Sequence, residues 1–257
     1  MMRQLLTIRM QAEAAGERLQ RRHQKTKNER RLIMAQEEQV KIVDLFTLDE
    51  TIAKPYLEQF TYPWEALAGI HDYILELGPT LPKDLYDEVA ENVWIAKSAK
   101  VFDTAYINGP CIIGERTQVR QAAFIRGDAL VGNDCVVGNS AELKNVIISN
   151  NCEVPHYNYC GDSILGFHAH MGAGSITSNI KADRKNIVIK GKEASYETGR
   201  RKIGALLGDW TEIGCNAVLN PGTVVGKNSQ IYPTSCVRGI VPSNTIYKVN
   251  GEQVEKR

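Results

Sequence analysis

Two short stretches concentrate the reactive side chains of this chain: Glu142-Leu143-Lys144-Asn145 and His156-Tyr157-Asn158-Tyr159-Cys160-Gly161-Asp162. Together they hold carboxylates, an ammonium, an imidazole and two phenols. A third, Met171-Gly172-Ala173-Gly174-Ser175, adds flexible backbone close by in sequence. An imidazole exchanges its proton near neutral pH, and fixed cations hold phosphate. More cations come from the polar stretch 178–206, which carries Lys181, Arg184, Lys185, Lys190, Lys192, Arg200, Arg201 and Lys202. Loops this long are uncommon inside compact folds and are more often functional. Segments 186–190 and 200–203 flank Gly191 and Gly199, so the stretch reads as a protruding two-stranded loop, a basic arm suited to phosphate.

What must position these residues is a pattern of period six. Ile95, Val101, Ile107, Ile113, Val119, Ile125, Val131, Val137 and Leu143 fall at intervals of six. Four residues after the first eight of them stand Ala99, Ala105, Cys111, Thr117, Ala123, Ala129, Cys135 and Ala141. Neither an amphipathic helix nor an alternating strand has this period. It is that of a hexapeptide coil, in which short parallel strands stack into a triangular prism. The aliphatic residue fills the prism and the small one turns the corner. Ile148, Val154 and Cys160 read as continuing the frame, which then slips once, to Leu165, before Met171 and Thr177. After residue 206 it resumes with Leu207, Ile213, Leu219, Val225, Ile231 and Val237. Three hexapeptides make a turn, so roughly seven turns are expected. The polar stretches above break the regular pattern, which is where function is expected.

The expected fold is all-β: a parallel β-helix over residues 91–240 with its loop at 178–206, preceded by a small helical segment at 34–90 and followed by a C-terminal segment at 241–257. Thr47-Leu48-Asp49-Glu50 reads as a capping box. Pro63 suits a first helical turn, Leu67, Ile70, Ile74 and Leu77 make one apolar face, and Gly78 is a stop. Such helices bury little alone and are expected to cover the open end of the prism. Residues 1–33 carry nine Lys or Arg against three acids, including Arg21, Arg22, Lys25, Lys27, Arg30 and Arg31. They read as a solvated or non-native basic tail, the latter if translation starts at Met34. A net charge of +1 argues against a nucleic-acid footprint for the whole chain. No apolar run reaches the length of a membrane span. The six cysteines form no C-x-x-C pair and read as thiols of a reducing cytoplasm.

The combined E-x-K-N, H-x-x-Y-x-G-D and G-A-G elements resemble the acetyltransferase domain of the bifunctional glucosamine-1-phosphate acetyltransferase/N-acetylglucosamine-1-phosphate uridyltransferase. The archaeal sugar-1-phosphate nucleotidylyltransferases with acetyltransferase activity are closer still, notably around Thr198-Gly199-Arg200-Arg201-Lys202-Ile203-Gly204-Ala205. The resemblance implies a left-handed β-helix that transfers an acetyl group from acetyl-CoA to the amine of a glucosamine-1-phosphate-like acceptor, for nucleotide-sugar or cell-wall precursor synthesis. It implies a cytoplasmic homotrimer with acetyl-CoA between neighbouring prisms and no metal. It gives His156 the role of catalytic base. It gives Arg126, Lys144, Tyr159, Asn179 and Lys185 contacts to the substrate, and Ala173 and Cys215 contacts to the cofactor, with the Ala173 amide as oxyanion donor. Arg126 and Lys144 are eighteen residues apart, one turn of the prism, so the two cations stack and repel unless an anion sits between them. His170 and the Asn179-Ile180 pair depart from the family pattern, which touches the identity of the sugar more than the reaction. Cys215 stands where a serine is usual.

Three other readings compete. His156, His168 and His170 could suggest a zinc carbonic anhydrase, but their spacing lacks that family's pattern. Nucleotidyl transfer would need the glycine-rich L-x-x-G-x-G-T-R loop, which the sequence lacks, and residues 1–90 are too short for that domain. The principal alternative is a non-catalytic, sugar-phosphate-binding or regulatory β-helix that partners a sugar nucleotidyltransferase.

Overall fold

The computed structural model describes residues 40–192 and 194–256. The basic tail of residues 1–33 lies outside them. Residues 93–247 wind into a left-handed parallel β-helix with three lateral faces. Face one stacks strands from Val93–Ala96 to Ile240–Val241, and face two stacks strands from Lys100–Val101 to Thr245–Tyr247. Face three runs from Tyr106–Ile107 to Cys236–Val237. The parallel stack therefore continues past residue 240. An antiparallel strand closes each end of the series: Tyr86–Ala90 on Val93–Ala96, and Gln253–Glu255 on Thr245–Tyr247.

The hexapeptide frame is the interior. Ile113, Val119, Ile125, Val131, Val137, Leu143, Ile148 and Val154 are buried in one cluster that continues through Val237. At many corners one residue adopts a left-handed backbone and a small buried residue follows it. Asp134 (φ 56°) precedes Cys135, and Ser140 (φ 54°) precedes Ala141. Asp and Asn recur at these positions because their short polar side chains tolerate that conformation. Cys111, Cys135, Cys152 and Cys160 are buried as free thiols, and Cys215 and Cys236 are exposed free thiols. Burial alone pushes the Cys111 thiol far up and is the main cause of the rise at Cys160, to about 12.

The frame is shortened twice rather than once. Leu143 to Ile148 and Cys160 to Leu165 are both five-residue steps. At the corresponding corner one turn earlier the chain spends two residues, Gly127 (φ 109°) and Asp128 (φ 53°). At the shortened corners a single residue turns the chain, Asn145 (φ 52°) or Asp162 (φ 49°). The strands Glu142–Ile148 and Tyr159–Leu165 consequently run unbroken from face three onto face one, paired in register along both halves.

The helices do not sit on the open end of the prism. Outside face one stands a ladder of apolar side chains in register: Trp94, Ile112, Leu130, Ile147, Ile164, Leu206 and Val224. All are buried, in one cluster with Ile42, Leu45, Leu57, Trp64, Leu67, Ile70 and Ile74. These come from the helices Ile42–Leu45 (α1), Lys54–Leu57 (α2), Pro63–Ala66 (α3) and Ile70–Leu77 (α4) and their joints. Such a ladder would leave several large aliphatic groups in water, each costing about 1.5–3 kcal/mol, so the helices lie flat across it. The excursion at 178–206 leaves the coil as a two-stranded hairpin, Val188–Lys190 against Ser195–Glu197, and lays its apolar side on the same layer. Ile187, Ile189 and Ile203 are buried there, and Tyr196 tilts against Trp64 with ring centroids 5.7 Å apart.

Pro63 opens α3, and Leu67, Ile70 and Ile74 face the core as the spacing predicts. Thr47 is not a capping box. Its N–H and hydroxyl both donate to Asp209 Oδ2 at 2.7 Å, tying the helical segment to the coil. Gly78 caps the C-terminus of α4, as the spacing predicts, and opens a short 3₁₀ turn; a side chain there would strike the Trp94 ring.

Ile147→Ala is expected to destabilise the protein by about 2–5 kcal/mol, because it opens a cavity under α4. Val43→Ala, on the exposed side of α1, should change stability by no more than about 0.5 kcal/mol. Urea unfolding followed by tryptophan fluorescence checks both; equal effects would contradict the lateral packing.

Candidate active site

His156 ends the strand Glu153–His156, on face two at the edge of face three. Its backbone is held on both sides. Its N–H donates to Asn158 Oδ1 at 2.9 Å, and its carbonyl accepts the Gly174 N–H at 2.9 Å. Asn158 is 3% exposed, and its amide donates to the Gly172 carbonyl at 2.8 Å and Ser175 Oγ at 3.0 Å. One buried amide thus pins the His156 corner to the Gly172–Ser175 corner a turn further on. Beneath it, a side chain at Gly138 would collide with the Pro155 carbonyl, so only glycine permits this spacing. The imidazole itself is exposed.

Strand register brings three of the predicted residues into one column. Glu153 pairs with His170, and His170 with Glu212. Three residues along each chain stand His156, Ala173 and Cys215. Ala173 accepts the Asn216 N–H at 2.8 Å, and its own N–H bonds no partner among the described residues. Cys215 is exposed beside it. A proton acceptor, an open amide donor and an accessible thiol therefore line one edge of the prism.

Face three carries the second group. Arg126 and Lys144 directly follow the register pair Ile125 and Leu143, as one turn of spacing predicts. The anion expected between them is supplied differently, because each cation has a carboxylate of this chain. Arg126 Nη1 donates to Glu142 Oε1 at 2.8 Å, and Lys144 Nζ to Asp162 Oδ1 at 2.9 Å. Its hydrogen bond to the Glu142 carboxylate is the main cause that raises the Arg126 guanidinium above its ordinary value. The repulsion between the cations is therefore not evidence for a bound phosphate.

Asp162 is the centre of the group and is 2% exposed. It also accepts Asn145 Nδ2 at 2.9 Å on Oδ1 and Asn179 Nδ2 at 2.5 Å on Oδ2. Asn179 donates in addition to the Tyr159 hydroxyl at 3.0 Å, and burial is the first cause raising the Tyr159 phenol. Asn145 donates to the Leu67 carbonyl at 3.2 Å, which links the network to the helical layer. Arg126, Lys144, Tyr159 and Asn179 are thus brought together. Lys185 is not: it lies exposed in the excursion, where its N–H donates to Asp183 at 3.0 Å.

Asp162 and Asn158 stand in the quoted motif but were given no role by the residue pattern. His71 of α4, whose Nδ1 lies 2.7 Å from Asp128 Oδ1, could not be placed from sequence at all. Of the three histidines weighed as zinc ligands, His168 stacks on Trp210 at 4.1 Å and His170 Nδ1 lies 2.8 Å from Glu212.

A repeat coil of hexapeptides carrying an imidazole and an open amide on one edge defines a class, the hexapeptide-repeat left-handed β-helix proteins. Within it, the resemblance drawn from the motifs is met again over part of the chain. The sequence is 30% identical over 195 residues to the bifunctional protein GlmU of Methanococcus maripaludis, covering 74% of this chain and 47% of that protein. It is 33% identical over 110 residues to a bifunctional sugar-1-phosphate nucleotidylyltransferase/acetyltransferase of Sulfurisphaera tokodaii, covering 43% of this chain and 27% of that protein. The chain thus spans about half or less of the length of these curated relatives. Among solved structures, PerB of Caulobacter crescentus in complex with CoA and GDP-perosamine aligns with 17% identity and a TM-score of 0.34, over 63% of this chain and 56% of that one. No protein-family model matches the sequence.

Asp162→Asn removes a buried anion while Lys144 and two amides still point at it. The expected cost is about 1.5–3 kcal/mol, the range for hydrogen bonds to charged groups. Denaturant unfolding measures it, and an unchanged midpoint would show that Asp162 is not the centre of the network.

Proposed function

We propose that this chain transfers an acetyl group from acetyl-CoA to the amine of an amino-sugar 1-phosphate. The observation that carries the reading is the edge on which His156, Ala173 and Cys215 stand in register beside the cation-bearing face three. The similarity to a bifunctional sugar-1-phosphate nucleotidylyltransferase/acetyltransferase supports the reaction class.

The amine nitrogen attacks the thioester carbonyl, and a carbon–nitrogen bond forms as the carbonyl π electrons move to oxygen. His156 takes the proton the nitrogen sheds. A neutral imidazole is suited to this step and contributes about 10²–10⁴-fold in rate. The Ala173 N–H, with no partner among the described residues, is free to donate to the oxyanion, a contribution of about 10²–10³-fold. Collapse of the tetrahedral species breaks the carbon–sulfur bond, and the departing CoA thiolate receives the proton from the imidazolium. Arg126, Lys144, Tyr159 and Asn179 hold the acceptor on face three. Cys215 borders the pantetheine end of the donor.

The edge is open to the side of the prism, and face one is already covered by the helical layer. A closed homotrimer built on the remaining two faces would complete the groove for acetyl-CoA between neighbouring copies, since a cyclic interface joins two different surfaces. Acetyl-CoA as donor and the free cysteines fit a reducing cytoplasm. No described helix is long and apolar enough to cross a membrane. No metal enters the proposed chemistry.

His156→Ala is expected to lower kcat with glucosamine 1-phosphate by about 10²–10⁴-fold, with the unfolding midpoint unchanged because the imidazole is exposed. Release of free CoA thiol measures it, and undiminished turnover removes His156 as the base. Asn158→Ala acts through position instead. It should lower both kcat and stability, since it leaves the His156 N–H and the buried carbonyls of Met171, Gly172 and Ser175 short of a partner, at about 1–3 kcal/mol.

A further inference from the structure

Between α4, the two shortened corners and the end of the excursion lies a cleft of about 470 Å³. Lys144, Asn145 and Asp162 form its floor. His71 and Asp128 stand on one side, and Arg200, Arg201 and Lys202 on the other. Its two carboxylates are already engaged: Asp162 accepts from Lys144, Asn145 and Asn179, and Asp128 faces His71 at 2.7 Å. Arg200, Arg201 and Lys202 have no carboxylate partner among the described residues. The Nε of Arg200 is buried and bonds nothing among them. A buried donor without an acceptor is costly, and three neighbouring cations raise one another's energy. A ligand that offers several anionic oxygens answers both.

We propose that this cleft is a phosphoryl-binding site, formed jointly by the helical layer and the excursion, for a ligand with a pyrophosphate-like arrangement of charge. Arginines favour such a ligand because the planar guanidinium matches two oxygens at once. Lys144 lies on the cleft floor and also in the acceptor network, so the two sites are continuous. The phosphoryl groups come from one of two sources. They belong to the acceptor itself, lying beyond its first phosphate, or to a free anion that occupies the cleft alone. The first source rests on the acetyl-transfer reading, whereas the binding site does not.

Titration calorimetry of the full chain with inorganic pyrophosphate tests the site. Arg201 and Lys202 are both exposed, so Arg201→Ala/Lys202→Ala is not expected to unfold the protein. The double variant should raise Kd by about tenfold or more and flatten its dependence on salt. Lys83→Ala/Lys248→Ala, which removes two cations elsewhere, should leave Kd unchanged. No pyrophosphate binding at millimolar concentration, or equal weakening by both double variants, overturns the proposal. Inhibition of acetyl transfer that is competitive with glucosamine 1-phosphate supports the acceptor as the source. Simultaneous saturation by both ligands supports a separate free anion. A chain that binds pyrophosphate through Arg201 and Lys202 yet acetylates no amino sugar would retain this site and lose the proposed function.

Discussion

The carboxylate of Asp162 is almost wholly removed from water, and a charge in that position persists only if nearby donors replace its hydration. Hydrogen-bond donors reach Asp162 from three parts of the chain. Lys144 and Asn145 belong to the preceding turn, Asn179 opens the excursion, and the Gly204 N–H, which closes it, donates to the Asp162 carbonyl at 2.7 Å. Through Asn145 the network also reaches the Leu67 carbonyl of the helical layer. One buried anion thus fixes how far the excursion can lean, where the helical layer meets the coil, and where the Lys144 ammonium points. This depends on the shortened corners. With the two-residue corner found at Gly127 and Asp128, the chain would carry an extra residue where Asn145 and Asp162 stack directly on each other.

The coil was legible because its period is strict: each interior aliphatic sits over another one turn earlier, and the packed interior tolerates few exceptions. The second shortening was equally available, as the five residues from Leu143 to Ile148, but Ile148 is aliphatic and passed for a frame position. The covered face was also written in the sequence. Trp94, Ile112 and Leu130 are eighteen apart, and Ile147 and Ile164 follow at seventeen. These residues lie one position before the interior aliphatic and so point outward. A face with that ladder needs a cover, and the amphipathic stripe of α4 is the matching half. Helical amphipathicity alone shows that a helix covers something, without showing what.

The site divides the same way. The motif residues stack as their spacing requires, because register in a coil is arithmetic. The carboxylate partners of Arg126 and Lys144 were hidden for a related reason. Glu142 and Asp162 lie a turn away in sequence, and nothing in a period of six says which side chains lean toward each other across turns. His71 was beyond reach, since its place depends on how the helical layer docks.

Pairing changes what the two stacked cations can do. Arg126 with Glu142 and Lys144 with Asp162 form two locally neutral pairs, and such pairs attract a distant anion weakly. Their value is in direction: each side chain is held in one orientation before any ligand arrives, which lowers the ordering cost of binding. Long-range attraction must come from cations left without partners. Among the described residues lining the cleft, Arg200, Arg201 and Lys202 are in that state, all on the arm that leaves the coil at the corner following Asn179. An arm of unpaired cations beside a floor of oriented ones separates capture from alignment. The polar excursion therefore does electrostatic work that the regular coil, with its neutralised pairs, is poorly placed to do.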